Sequence, residues 1–89
     1  MGGSRVPGVK KVRLSERSVK EIGRLEPKWK ERVASALEDL AVNPLLGKKL
    51  KGEFEVMRSF RLGQYRIIYR YSQDYLEVAD ILHRKDAYR

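Results

Sequence analysis

The side chains that could do chemistry in this chain are mostly cations. Twenty lysines and arginines face 12 aspartates and glutamates, for a net charge of +8 over 89 residues. A small domain with such a field favours a polyanionic partner: nucleic acid, an acidic membrane surface or an acidic protein. Arg61, Arg66, Arg70 and Arg84 recur through the C-terminal third, joined by Lys51, Lys85, the lone histidine His83 and the near-terminal Tyr88. Guanidinium forks match phosphate oxygens. RNA carries its own nucleophile, the 2′-hydroxyl, so its cleavage needs in-line alignment, a proton acceptor and cations around the pentavalent phosphate. Arginines on a sheet face with a tyrosine or histidine nearby can supply these. Each residue also has a plainer reading. His83 is a general acid or base, or an incidental surface histidine. Tyr88 stacks on a base or moves a proton, or anchors the C-terminus. Lys48, Lys49 and Lys51 track a nucleic-acid backbone, or are a solvated loop.

Other chemistries are excluded. There are no cysteines and one histidine, so disulfides, thiolate metal sites and histidine-rich metal sites are out. No nucleophile elbow, zinc pattern or phosphate-cradling glycine loop occurs. An enzyme built from this sequence would work without a metal or cofactor. No apolar run approaches the roughly 20 residues needed to span a bilayer, and no signal-peptide core is present, so a cytoplasmic protein without membrane attachment is expected. Residues 1–8 (MGGSRVPG) read as a flexible leader, and residues 9–89 as one domain.

The elements that must position these cations follow from periodicity. Val9–Leu14 has short β character. Ser15 is a helix N-cap candidate, and Leu14, Ser18, Ile22 and Leu25 form one stripe with Val19 beside it. Pro27 suits the first turn of a second helix over Lys28–Ala41, where Trp29, Val33, Ala36, Leu37 and Leu40 share a face. Asn43-Pro44 stops it. Leu45–Glu53 reads as a basic loop. Phe54–Leu62, Tyr65–Ser72 and Tyr75–His83 read as strands joined by short turns. The expected fold is α+β: an N-terminal strand, an αα-hairpin, then a three-stranded antiparallel meander, with the helices packed on one face of the sheet.

A register locates the cations. With Gly63 at the first central position of a type II′ turn, Leu62 faces Tyr65, Arg61 faces Arg66, Ser59 faces Ile68 and Met57 faces Arg70. With Gln73-Asp74 central in the next turn, Arg70 faces Glu77, Tyr69 faces Val78 and Arg66 faces Ile81. One face is then apolar (Phe60, Leu62, Tyr65, Ile67, Tyr69). The other presents Arg61, Arg66 and Arg70, with His83, Arg84, Lys85 and Tyr88 arriving from the last strand. Asp80 is a misfit on the apolar side, at its rim or paired with Arg58. Like charges directly across a strand pair destabilise it; an anion gripped by both Arg61 and Arg66 would offset that repulsion.

The segments Arg61-Leu62-Gly63-Gln64-Tyr65-Arg66-Ile67-Ile68-Tyr69 and Ile81-Leu82-His83-Arg84-Lys85-Asp86-Ala87-Tyr88-Arg89, with Asn43-Pro44 and Leu50-Lys51-Gly52, resemble the RelE/ParE toxin superfamily of toxin–antitoxin systems. The likeness covers about Lys10–Arg89. It implies a ribosome-dependent mRNA endonuclease that cuts the A-site codon through 2′-hydroxyl attack. Arg66 matches a transition-state arginine, Arg61 a basic position before it, Arg84 the arginine after the last strand and Tyr88 a base-stacking tyrosine, with His83 or Tyr88 moving the proton. Lys51, Lys85 and Arg70 would bind substrate. Where well-characterised ribosome-dependent members carry lysines, this chain has Met57 and Ser59. The implied partners are the ribosome, mRNA and an acidic antitoxin, with DNA reached only through that antitoxin. The alternatives are a gyrase-directed toxin of the ParE kind, and an inactive RNA- or antitoxin-binding module.

Overall fold

The computed structural model describes residues 9–50 and 57–84. The leader at 1–8, the beginning of the strand expected from Phe54, and Lys51, Lys85 and Tyr88 lie outside the described residues. Strand β1 (Lys11–Leu14) leads into helix α1 (Glu16–Arg24) and helix α2 (Pro27–Val42). A 3-10 turn (Pro44–Leu46), a two-residue strand β2 (Lys48–Lys49), and strands β3 (Arg58–Leu62), β4 (Tyr65–Tyr71) and β5 (Tyr75–His83) follow. They form one five-stranded sheet in the order β1-β5-β4-β3-β2, with β1 parallel to β5 and every other pair antiparallel. The expected α+β architecture is present. The sheet gains a strand, because Lys48–Lys49, expected as loop, pairs with β3.

The helices start and stop where side-chain chemistry dictates. The Ser15 hydroxyl accepts the Ser18 amide at 3.0 Å, capping α1. That hydroxyl also donates to the Ala79 carbonyl at 2.7 Å, tying the cap to β5. Ser18 is fully buried, and its hydroxyl donates to the Ser15 carbonyl at 2.9 Å, so the polar group is satisfied in the core. Val19, expected beside the buried stripe, is exposed on α1 instead. Pro27 begins α2, where its missing amide costs nothing. The Asn43 side chain accepts the Leu45 amide and opens the 3-10 turn.

The core lies between α2 and one face of the sheet. Val33, Ala36, Leu37 and Leu40 pack with Ile67, Tyr69, Leu76, Val78 and Ile81, and Ile22, Trp29, Phe60, Leu62 and Tyr65 border the cluster. Burying this apolar area is the main stabilising term, at roughly 25 cal/mol per Å².

Candidate nucleic-acid interface

The β3–β4 hairpin has the expected register, with Leu62 opposite Tyr65, Arg61 opposite Arg66 and Ser59 opposite Ile68. Gly63 has φ +60° and no non-glycine residue among the described residues has positive φ, so Gln64 does not take the second positive φ of a type I′ turn. The indole of Trp29 lies beneath: a Cβ on Gly63 would stand 2.5 Å from its Cη2. Trp29 also meets the Tyr65 ring edge-on at 5.1 Å. The hairpin is therefore held from the helix side, and its arginines project from the opposite face.

On that open face Arg61 is exposed and Arg66 half-buried. Neither makes an ion pair or side-chain hydrogen bond among the described residues. They line a cleft of about 440 Å³ together with Leu46, Lys48, Ser59 and Phe60. On the other half of the face two arginines share one carboxylate. Arg70 donates to Glu77 at 2.6 Å, and Arg13 approaches the same carboxylate at 4.0 Å while lying 3.7 Å over the Tyr75 ring. Arg61 and Arg66, directly opposed and without a carboxylate among the described residues, thus stand at the β2–β3–β4 corner. There a phosphate would meet cations from two strands that already repel each other.

The second hairpin departs from the expected register. Arg70 faces Glu77 and Tyr69 faces Val78, as predicted, but a bulge at Ala79 then shifts the pairing by one. Arg66 lies opposite Leu82 rather than Ile81, and Ile81 is buried opposite Ile67. Asp80 moves opposite Ile68, off the core-facing side, and pairs with Arg17 at 3.4 Å rather than with Arg58. His83, expected on the basic face, lies opposite Tyr65 and meets its ring edge-on at 5.2 Å, on the Trp29 side. A bulge inserts one residue and exchanges the faces of everything beyond it. The misfit of Asp80 was the signal that could have revealed it.

The structure therefore brings Arg61 and Arg66 together and separates His83 from them. Arg84 is exposed, and its amide donates to the Gln64 carbonyl at 2.5 Å, which fixes its backbone at the hairpin carrying the arginine pair. Arg70 stands on the open face with its charge met by Glu77. Lys48, expected to track a nucleic-acid backbone or to belong to a solvated loop, enters this corner on a strand, opposite Ser59. Its strand is only two residues long, too short for alternation to be visible in the sequence.

Two helices packed over one face of a five-stranded mixed sheet match the class of RelE-like toxin folds. The chain belongs to the RelE/ParE superfamily and is a toxin of a type II toxin–antitoxin system: residues 12–88 match the family described as the ParE toxin of the type II toxin–antitoxin system parDE. It is similar to a chain of the crystallised toxin–antitoxin complex RelBE2 from Mycobacterium tuberculosis, with 26% identity, TM-score 0.80, and 89% of this chain and 95% of that one covered. The isolated Escherichia coli RelE toxin matches with 20% identity and TM-score 0.73 over 83% of each chain. A Staphylococcus aureus YoeB dimer matches with 17% identity and TM-score 0.70, covering 81% of this chain and 93% of that one. These last two show the fold alone. No curated protein matches the chain significantly. No helix among the described residues is long and apolar enough to cross a membrane.

Proposed function

We propose that this toxin is a ribosome-dependent mRNA endonuclease that arrests translation by cutting the codon in the A site. The observation that carries the reading is the Arg61–Arg66 pair: two guanidinium groups directly opposed across a hairpin, with no carboxylate partner among the described residues. In the proposed reaction the 2′-oxygen attacks the adjacent phosphorus and loses its proton. The bond from phosphorus to the 5′-oxygen of the next nucleotide breaks, and that oxygen gains a proton. The products are a 2′,3′-cyclic phosphate and a 5′-hydroxyl. Arg66 and Arg61 hold the non-bridging oxygens as charge builds on them. Arg84, anchored at the same hairpin, adds a third guanidinium. With His83 packed on Tyr65, proton transfer falls to Tyr88, which would also stack on the base.

An acidic, amphipathic antitoxin segment is the expected neutralising partner. A +8 chain attracts it, and it would cover the arginine cleft. Similarity to chains of crystallised RelB–RelE complexes supports this partner. The family match to ParE favours a second reading, inhibition of DNA gyrase by protein binding. Expression of the wild type and of Arg66→Ala in cells separates the two. The endonuclease reading expects translation arrest without a DNA-damage response, abolished by Arg66→Ala. DNA damage with intact mRNA, insensitive to Arg66→Ala, contradicts it.

A further inference from the structure

The two-residue strand β2 is anchored more firmly than its length explains. Gly47, immediately before it, is buried, and its amide donates to the Tyr69 hydroxyl at 3.0 Å. That hydroxyl donates in turn to the Pro44 carbonyl at 2.5 Å. The Gly47 carbonyl accepts from Arg58 Nη2 at 2.8 Å and from Nε at 3.2 Å. A Cβ on Gly47 would stand 2.5 Å from the Tyr69 hydroxyl and 2.9 Å from the Ser59 carbonyl oxygen. One buried tyrosine and one arginine are thus committed to fixing the backbone atoms that precede Lys48. On the far side, the Leu50 amide donates to the Met57 carbonyl at 3.0 Å.

The consequence is a lysine with a fixed root. Lys48 is exposed and pairs with Ser59, a short side chain that also lines the cleft. Residues opposite each other on paired strands share a face, with Cβ atoms about 5 Å apart. The lysine stem is long enough to bring its ammonium over Ser59, beside Arg61 and Arg66 in the cleft all four residues line. The two arginines approach a phosphate from β3 and β4; of the two β2 lysines that line the cleft, Lys49 pairs with Arg58 and so roots on the opposite face, which leaves Lys48 as the β2 cation on the arginine face. We infer that Lys48 is a further phosphate-contacting residue of this toxin, closing the third side of the cleft and stabilising charge on the scissile phosphate from above Ser59. The inference rests on the endonuclease reading, and it concerns electrostatic stabilisation only.

The test uses the full chain in a translating extract, with mRNA cleavage followed by primer extension. Wild type, Lys48→Gln, Lys30→Gln and the double variant Lys48→Gln/Ser59→Lys are compared. Lys30 is exposed on α2 and controls for loss of one positive charge. The expected result is cleavage about 100-fold slower for Lys48→Gln, the scale of losing one preorganised transition-state contact. Lys30→Gln should cut like the wild type. The double variant, with the ammonium returned from the neighbouring strand, should recover most of the activity. Binding of a 2′-O-methyl RNA oligonucleotide, which cannot be cut, gives a second readout. Lys48→Gln should lower the slope of log K against log salt by about 0.7, one phosphate contact. If the wild type cuts and Lys48→Gln cuts equally well, the inference is overturned and the endonuclease reading stands. A slow Lys48→Gln that Ser59→Lys does not rescue also overturns the placement over Ser59. If the wild type itself leaves mRNA intact, the endonuclease reading falls and takes this role of Lys48 with it.

Discussion

Single side chains in this molecule divide into those that shape the open face and those that act from it. Tyr69 belongs to the first kind: it is fully buried, and its hydroxyl joins the Gly47 amide to the Pro44 carbonyl. Tyr69→Phe leaves the buried Gly47 amide without that acceptor and should cost about 1–3 kcal/mol in urea unfolding. Gly63 is shaped by both conformation and space, with φ +60° over the Trp29 indole. Gly63→Ala should destabilise by on the order of 1–3 kcal/mol, and a melting temperature equal to wild type would contradict that account of the turn. Arg66 is of the second kind. Since it makes no ion pair or side-chain hydrogen bond among the described residues, Arg66→Ala should leave the urea midpoint nearly unchanged while cleavage falls by about 100-fold or more.

At the scale of elements, the decisive features are a cap, a bulge and a very short strand. The Ser15 cap joins α1 to β5 through Ala79, so Ser15→Ala should cost about 0.5–2 kcal/mol, measured by chemical denaturation. Much of this architecture was legible beforehand. The spacing of Trp29, Val33, Ala36, Leu37 and Leu40 gave α2. The glycine at 63 gave the first hairpin, and with it the opposition of Arg61 and Arg66. The Arg70–Glu77 pair followed from the second turn. The bulge was not legible, because a ladder counted outward from a turn assumes one residue per step. An extra Ala79 carries no side-chain mark beyond the misplaced Asp80, and it sent His83 to the wrong face. Strand β2 was hidden for a different reason. Two lysines between Gly47 and Leu50 have no period of their own, and their pairing is imposed by tertiary bonds from Tyr69 and Arg58. Lys51, Lys85 and Tyr88 lie outside the described residues, and their roles are proposals.

At the scale of the whole molecule, charge and asymmetry combine. One face of the sheet is spent on the core. The other keeps Arg61 and Arg66, unpaired among the described residues, at the end where β2, β3 and β4 meet and holds an Arg70–Glu77–Arg13 group at the other end. A single-stranded RNA binding through about three phosphates should lose affinity roughly 20-fold over a fourfold rise in salt, a slope near −2 in a log–log titration. Insensitivity to salt would show that the net charge of +8 is not what recruits the ligand. The central claim is that guanidinium groups on the uncovered side of this sheet cut messenger RNA in a working ribosome. It is tested most directly by mapping RNA 5′ ends in a translating extract with and without the protein. The account predicts new ends spaced in codon register at the A site, absent when the ribosome is withheld and absent with Arg66→Ala. Full-length mRNA under conditions where the protein still halts cell growth would contradict it.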